Sequence, residues 1–385
     1  MNRNSNLDLI RLFAFVLLVT CHTCDPFNAA ATYGAGEPNP EFTRWGAVWG
    51  SVVRPCVPLF VMLTGALLLG RPIAKAATGE LEMGSFYRKR IPRVLWPFLI
   101  WSVLYYVFPW LLGLLGYGEA TVTMFFPWAE TTDQGFLAAW ERLYRIPFNF
   151  SYVACHMWYI YMLIGIYLYL PIFNCWVERA SKRQKQFFLL MWGLSTCLPY
   201  LTEFVSPYSF GTCDWNSYGL FYSFAGFNGY LLLGHYIKHY VDLPLGRAVA
   251  IGLPLFAAGY VVNLLGYRSI LMLADPTPQQ VELFWTYCTP NVLLMSVSLY
   301  LVLLKVPVRS MRTKQLLASL TNCGFGIYMI HYFFVGPTFE AIAVMGVPVS
   351  LRVPLAGVAV LIEAWMAVAL LKHLLSKPVS RILLG

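Results

Sequence analysis

Long apolar runs recur along the whole chain, separated by short polar or charged segments. Within each run the apolar residues are continuous rather than alternating. That is the pattern of membrane-spanning helices and not of a transmembrane β-barrel. Ten helices are predicted, near residues 8–24, 46–69, 92–115, 154–174, 186–204, 220–239, 246–266, 286–305, 316–336 and 351–373. Each is long enough to cross about 30 Å of hydrocarbon at about 1.5 Å per residue. Nothing between them has the length or composition of a separate soluble domain, and no long repeat or low-complexity tract interrupts them. Residues 1–385 therefore read as a single membrane-embedded domain of the all-α class.

Composition strengthens this reading. Of 385 residues, 58% are apolar and 12% charged, whereas a soluble domain carries about 25% charged residues. A soluble enzyme, a disordered chain and a secreted disulfide scaffold are all excluded. The formal net charge of +9 resolves into topology. With the N-terminus inside, 20 of the 27 Lys and Arg residues fall in cytoplasmic segments, among them Arg3, Arg71 and Lys75. Five fall outside (Arg44, Arg142, Arg145, Arg268 and Arg352), and Arg11 and Arg54 lie within spans. This distribution places both termini in the cytoplasm, and a nucleic-acid partner is not needed to explain the charge. Ala29-Ala30-Ala31 offers a signal-peptidase-like site, but Asp8 and Arg11 interrupt the basic-then-apolar pattern, so the first run is read as a retained span. Cys24, Cys155, Cys213 and Cys288 fall near the outer face, where an oxidising compartment permits a disulfide. Cys21-His22-Thr23-Cys24 has C-x-x-C spacing, but no second Cys/His cluster accompanies it, and no metal is expected.

Charged and imidazole side chains within spans are the candidate chemistry. Arg11 and His22 are eleven residues apart, about 20° around and about 16 Å along one helix. Asp8, one turn before Arg11, offers the simpler account of an interfacial ion pair. Arg54 opens an Arg-Pro-Cys-Val-Pro segment that leads to Thr64-Gly65; it either snorkels outward or binds an anionic or carbonyl group. Arg88, Lys89, Arg90 and Arg93 lie at the predicted start of the third helix. The cluster is either a topology signal or a phosphate site built from arginine forks and free helix N–H groups. His156 opens the fourth predicted helix, and His331 lies in the outer half of the ninth, at a depth comparable to His22. His235, His239 and His373 sit at cytoplasmic ends and read as topology.

In combination these residues resemble the acyltransferase-3 family of integral-membrane acyltransferases. The first helix has the family's Arg-x10-His pattern, Arg11 to His22. Val57 to Gly65 resembles its proline-phenylalanine–small-glycine stretch, with Thr64 where Ser is commoner. Arg90-Ile91-Pro92-Arg93 resembles its Arg-x-x-Arg motif, His156-Met157-Trp158 its His-x-Trp segment, and Gly326 to His331 its Gly-Ile-Tyr-x-x-His segment. The resemblance spans essentially the whole chain, and it is nearest to members that O-acetylate envelope polysaccharides.

The resemblance implies an acyl donor, usually acetyl-CoA, on the cytoplasmic side and a saccharide or lipid-linked glycan acceptor outside, within a bacterial inner membrane whose lipids surround the protein. Arg88, Arg90, Arg93, Tyr328 and Thr64 are the expected donor-binding set, and His22, Arg11, Arg54, His156 and His331 the catalytic set. His22 would act as general base. Arg54, His156 and the Thr64 hydroxyl are candidate oxyanion donors. Glu203, Asp214, Glu340 and Glu363 are candidates to orient a histidine. Cys21 and Cys155 adjoin histidines, which leaves an acyl-enzyme route open beside direct transfer. A transporter or flippase is the competing class, because polar groups in loosened spans also suit a substrate pathway.

Overall fold

The computed structural model describes residues 4–33, 39–71 and 82–385; Arg3 and Lys75, counted above among the cytoplasmic cations, lie outside them. The helices in chain order are α1 (Ser5–Thr23), α2 (Asp25–Tyr33), α3 (Pro40–Val52), α4 (Cys56–Leu68), α5 (Met83–Leu114), α6 (Glu119–Phe125), α7 (Phe136–Arg145), α8 (Trp158–Arg179) and α9 (Lys182–Ser195). They continue as α10 (Leu198–Phe204), α11 (Asn228–Tyr240), α12 (Leu245–Ile270), α13 (Pro278–Glu282), α14 (Pro290–Lys305), α15 (Met311–Ile330), α16 (Tyr332–Val344), α17 (Val349–Leu374) and α18 (Lys377–Leu384). Among the described residues no strand forms; one isolated bridge joins Cys213 and Asn216.

Eight helical stretches are long and apolar enough to cross a membrane, and the bent pair α15–α16 is a ninth if counted as one span. The protein is an all-helical, polytopic membrane protein. The predicted helix at 220–239 is the one that does not reach spanning length. Gly226 has φ of +91°, which stops helix from extending backward, so α11 keeps 13 residues, about 20 Å. The predicted helix at 46–69 is divided at residues 53–55, where Pro55 cannot donate to the helical ladder. The predicted third helix starts nine residues early, at Met83. Pro92 is thus inside α5 rather than at its first turn. The expected free N–H groups beside Arg90 and Arg93 are therefore not there: both residues lie in the body of a helix.

The described chain forms two compact units. One comprises Met1–Leu18, Gly50–Pro72 and Ile172–Ala318. Here α4 and α11 meet backbone to backbone: a Cβ at Gly65 would stand 1.9 Å from the Leu231 carbonyl oxygen, and one at Gly234 would stand 2.0 Å from that of Met62. Such close approach is the small-residue packing of membrane helices. A buried polar network fastens α12 to α14. Asn263 Nδ2 donates to the Ser51 carbonyl at 3.1 Å, Asn291 Nδ2 donates to Asn263 and to the Phe284 carbonyl, and Tyr200 donates to Asn291 Oδ1.

The other unit comprises Val19–Trp49, Ile73–Pro171 and Ser319–Gly385. Its core includes Cys24, Phe27, Phe339, Ile342, Val353 and Ala356. Phe27 stacks on Phe42 at 4.5 Å and meets Phe339 edge-on at 5.1 Å. Trp101 donates its indole N–H to the Leu383 carbonyl at 2.8 Å, tying α18 to α5. Thr338 donates to Glu363 at 2.6 Å, tying α16 to α17.

Gly65→Ala should lower the melting temperature in detergent by several degrees, because backbone rather than a flexible side chain occupies the space and overpacking costs about 1–3 kcal/mol. Gly165→Ala, with open space at its Cβ position, is the control. Equal melting temperatures for the two variants would contradict the close α4–α11 contact.

Candidate functional site

The site is built where helices break, and all its parts belong to the second unit. Helix α1 stops at Thr23, whose hydroxyl donates to the carbonyls of Thr20 and Val353, each at 3.0 Å. Cys24 Sγ also donates to the Thr20 carbonyl, at 3.2 Å. Helix α2 then starts at Asp25, with Pro26 in its first turn, where a missing N–H is tolerated. The break places His22 at the end of one helix and Asp25 at the start of the next. His22 Nδ1 and Asp25 Oδ2 stand 3.0 Å apart.

His156 comes from a second irregular segment. Tyr152–Met157 is a 3-10 turn in which Ala154 leaves helical geometry (φ −131°, ψ 56°). The turn is pinned by Tyr106, whose hydroxyl oxygen accepts from the Ser151 N–H at 2.8 Å. His331 comes from a third: α15 and α16 meet there at 83°. Its Nδ1 lies 2.8 Å from the Tyr328 carbonyl oxygen, the bond that fixes the ring at the bend.

These three breaks bring the three histidines together. Ring centroids are 5.3 Å apart for His22 and His331, 5.2 Å for His156 and His331, and 6.1 Å for His22 and His156. His156 and His331 are buried, and His22 is nearly so. Tyr332 stands 5.2 Å from His22 and 5.0 Å from His156. Tyr105 borders His156 at 5.1 Å and donates to the Met329 carbonyl at 2.8 Å. Tyr328 donates its hydroxyl to the His156 carbonyl.

Of the residues expected from sequence, His22, His156, His331 and Tyr328 therefore form one cluster. Arg88, Arg90 and Arg93 lie in the same unit on α5, the helix that also carries Tyr105. Arg88 and Arg93 are exposed; Arg90 is half-buried with its guanidinium 5.4 Å from the Phe86 ring centroid. Arg11, Arg54 and Thr64 belong to the other unit. Arg11 pairs with Asp8 at 3.7 Å. Arg54 is buried; its Nε donates to the Gly50 carbonyl at 2.8 Å, and its guanidinium lies 3.8 Å from Glu282 and 4.1 Å from the Trp285 ring centroid. Thr64 donates its hydroxyl proton to the Phe60 carbonyl at 2.9 Å, so that proton is committed within its own helix.

The carboxylate that meets a histidine is Asp25, which the sequence reading did not select. Of the four carboxylates considered there, Glu203 accepts from Gln280, Asp214 from Tyr208 and Glu363 from Thr338, while Glu340 lines an open cleft. The available signal was the His22-x-x-Asp25 spacing, which sets the two one helical turn apart. Tyr332, Tyr105 and the Tyr106 anchor were also missed, since their roles depend on contacts between distant segments. Cys24, Cys155, Cys213 and Cys288, the cysteines expected near the outer face, are free thiols here.

The arrangement has defined acid–base capacity. A carboxylate at Nδ1 fixes the imidazole tautomer and orientation and leaves Nε2 of His22 with a lone pair for a proton. His331, with Nδ1 on a carbonyl, presents an unpartnered Nε2, and neither ring nitrogen of His156 has a hydrogen-bond partner. Buried polar atoms are rarely left so, and these nitrogens are available to an entering polar group. His22, Asp25 and Cys155 also offer nitrogen, oxygen and sulfur atoms all within 4.8 Å of one another. Such a set suits zinc in ligand type; it is assembled from two separated segments, which is why C-x-x-C spacing did not reveal it. The Cys155 thiol itself lies 3.2 Å from the Tyr332 hydroxyl, to which it donates.

The family model described as an acyltransferase domain matches residues 4–369, nearly the whole chain. Neither the curated proteins nor the solved structures contain a match. The coverage of that domain, together with the spans, places the chain in the acyltransferase-3 family of integral-membrane acyltransferases.

Proposed function

We propose that this acyltransferase moves an acyl group, acetyl in the simplest case, from acyl-CoA to a hydroxyl of an envelope saccharide or lipid-linked glycan. The proposal places it in a bacterial cytoplasmic membrane with both termini and the donor on the cytoplasmic side. The observation that carries the reading is the His22–Asp25 hydrogen bond beside two further buried histidines. His22 Nε2 takes the proton of the acceptor hydroxyl as its oxygen attacks the thioester carbonyl. A ring N–H of His156 stabilises the oxyanion. The carbon–sulfur bond then breaks, and the His22 imidazolium returns the proton to the CoA thiolate. The Cys155 thiol stands between the Tyr332 hydroxyl and His22, so an acyl-enzyme route through it stays open beside direct attack.

Arg90 and Arg93, with Arg88 beside them, would hold the donor phosphates. Arg90 and Arg93 precede Tyr105 by fifteen and twelve residues on α5, about 22 Å and about 18 Å along the helix. A donor with its charge at one end of a long flexible arm and its thioester at the other matches that separation.

Mass spectrometry of envelope glycans from cells with and without the gene should show one acyl unit gained per modified residue. His22→Ala should retain acetyl-CoA binding and lose transfer, and Asp25→Asn should lower the turnover rate by about 10²- to 10⁴-fold, the range for a misoriented general base. Normal transfer by His22→Ala would sink the mechanism, and an acetyl group found on Cys155 after incubation with acetyl-CoA alone would replace direct attack by a two-step route. Paired Arg90→Gln and Arg93→Gln changes should weaken acetyl-CoA binding by about tenfold or more, the loss of one or two charge-assisted hydrogen bonds. Substrate flux in vesicles without acyl-CoA would favour a transporter instead.

A further inference from the structure

A second cationic cluster lies in the first unit, where the ends of α4, α9 and α11 meet. Lys185 is its base. It is 4% exposed, and its ammonium donates to the Tyr240 hydroxyl at 2.9 Å. A buried lysine is ordinarily paired with a carboxylate. Among the described residues Lys185 has none: Asp242 pairs with Lys305 at 3.1 Å, and Glu178 accepts from Asn174 at 2.5 Å. Lys182 approaches the same Tyr240 ring, at 5.9 Å, as Lys185 does at 5.2 Å.

The facing helix end adds more donors. His235 is 5% exposed; its ring also meets the Leu69 carbonyl, and its Nδ1 is enclosed without a hydrogen-bond partner. Its ring lies 4.5 Å from His239 and 6.4 Å from Tyr240. Lys238, one turn on, reaches the end of α4 and donates to the Ala66 carbonyl at 2.7 Å. Gly70, with φ of +73°, turns the chain so tightly against His235 that a Cβ there would be 2.8 Å from the imidazole Cε1. That turn sets exposed Arg71 at the rim. Topology accounts for exposed lysines at a helix end. It does not account for an enclosed, unpaired ammonium beside an enclosed, unpartnered imidazole nitrogen, since a lysine stem is long enough to carry its charge to water.

We propose that Lys185, His235 and Lys238, with Lys182 and Arg71 at the rim, bind a phosphate-bearing group, either a diphosphate-type soluble ester or the phosphodiester of an anionic lipid headgroup. Phosphate oxygens accept from several ammonium and imidazole donors at once. A bound phosphate supplies the counter-charge that no described carboxylate provides, with Tyr240 as a neutral bridge between α9 and α11. The site uses none of the arginines of α5 and stands independently of the acyl-transfer reading.

The test uses the purified full-length chain in two arms. Inorganic pyrophosphate is titrated against protein in uncharged detergent, and melting is compared in nanodiscs of phosphatidylcholine alone and with phosphatidylglycerol. The wild type should be stabilised by at least one probe. Response to pyrophosphate alone identifies a soluble ester, and response to phosphatidylglycerol alone identifies a headgroup. Measured in the Arg90→Gln/Arg93→Gln background, so that the arginines of α5 do not contribute, Lys185→Met keeps the buried stem and should weaken the response at least tenfold, and Lys185→Arg should restore most of it. Should Lys185→Met fail to fold, the exposed pair Lys182→Gln/Arg71→Gln should still weaken the response several-fold. Absence of stabilisation by either probe, or an undiminished response in folded Lys185→Met or in the rim pair, would overturn the proposal.

Discussion

Backbone that leaves the helix in an apolar medium must find hydrogen bonds within the protein, and this constraint shapes the molecule. Every irregular segment at the candidate site satisfies it with a side chain. Thr23 and Cys24 serve the Thr20 carbonyl, His331 serves Tyr328, Tyr328 serves His156, and Tyr105 serves Met329. In the other unit Arg54 serves Gly50 at the break before α4. The breaks are therefore fixed structures, and the side chains that fix them include members of the site.

This arrangement makes the geometry of the candidate site and structural integrity share residues. His331 holds the bend between α15 and α16 through one ring nitrogen and presents the other to the cluster. Tyr328 ties α15 to the turn that carries His156. His22 and Asp25 need the break at residue 24, because an uninterrupted α1 would carry His22 onward in a straight helix without the Asp25-Pro26 start of α2. The aromatic packing around them, Tyr105 stacked on Phe333 at 4.0 Å and Phe126 beside Tyr332, keeps the imidazoles enclosed, where a fixed dipole or lone pair acts more strongly than in water.

The histidines, the tyrosine of α15 and the arginines of α5 were legible because each departs from what an apolar span tolerates. The missed features share a different cause. Asp25 sits one turn past His22 at the break between α1 and α2, and nothing in its residue type alone marks it as the partner of the imidazole. The start of α5 at Met83 was hidden by Pro92, which reads locally as a first-turn proline yet is accommodated inside a long helix. Lys185 and His235 read as topology, because burial of a lysine is decided by neighbours far along the chain.

The sequence by itself determined the solvent, the all-helical class, most of the spans and the family's motif set, because hydrophobic continuity and residue type are local properties. Tertiary structure alone decided which helices break, which carboxylate meets His22, and which cations are buried. Those outcomes depend on segments distant in sequence, such as the 172 residues between His156 and the Tyr328 hydroxyl that bonds its carbonyl, and no local pattern encodes how such segments meet.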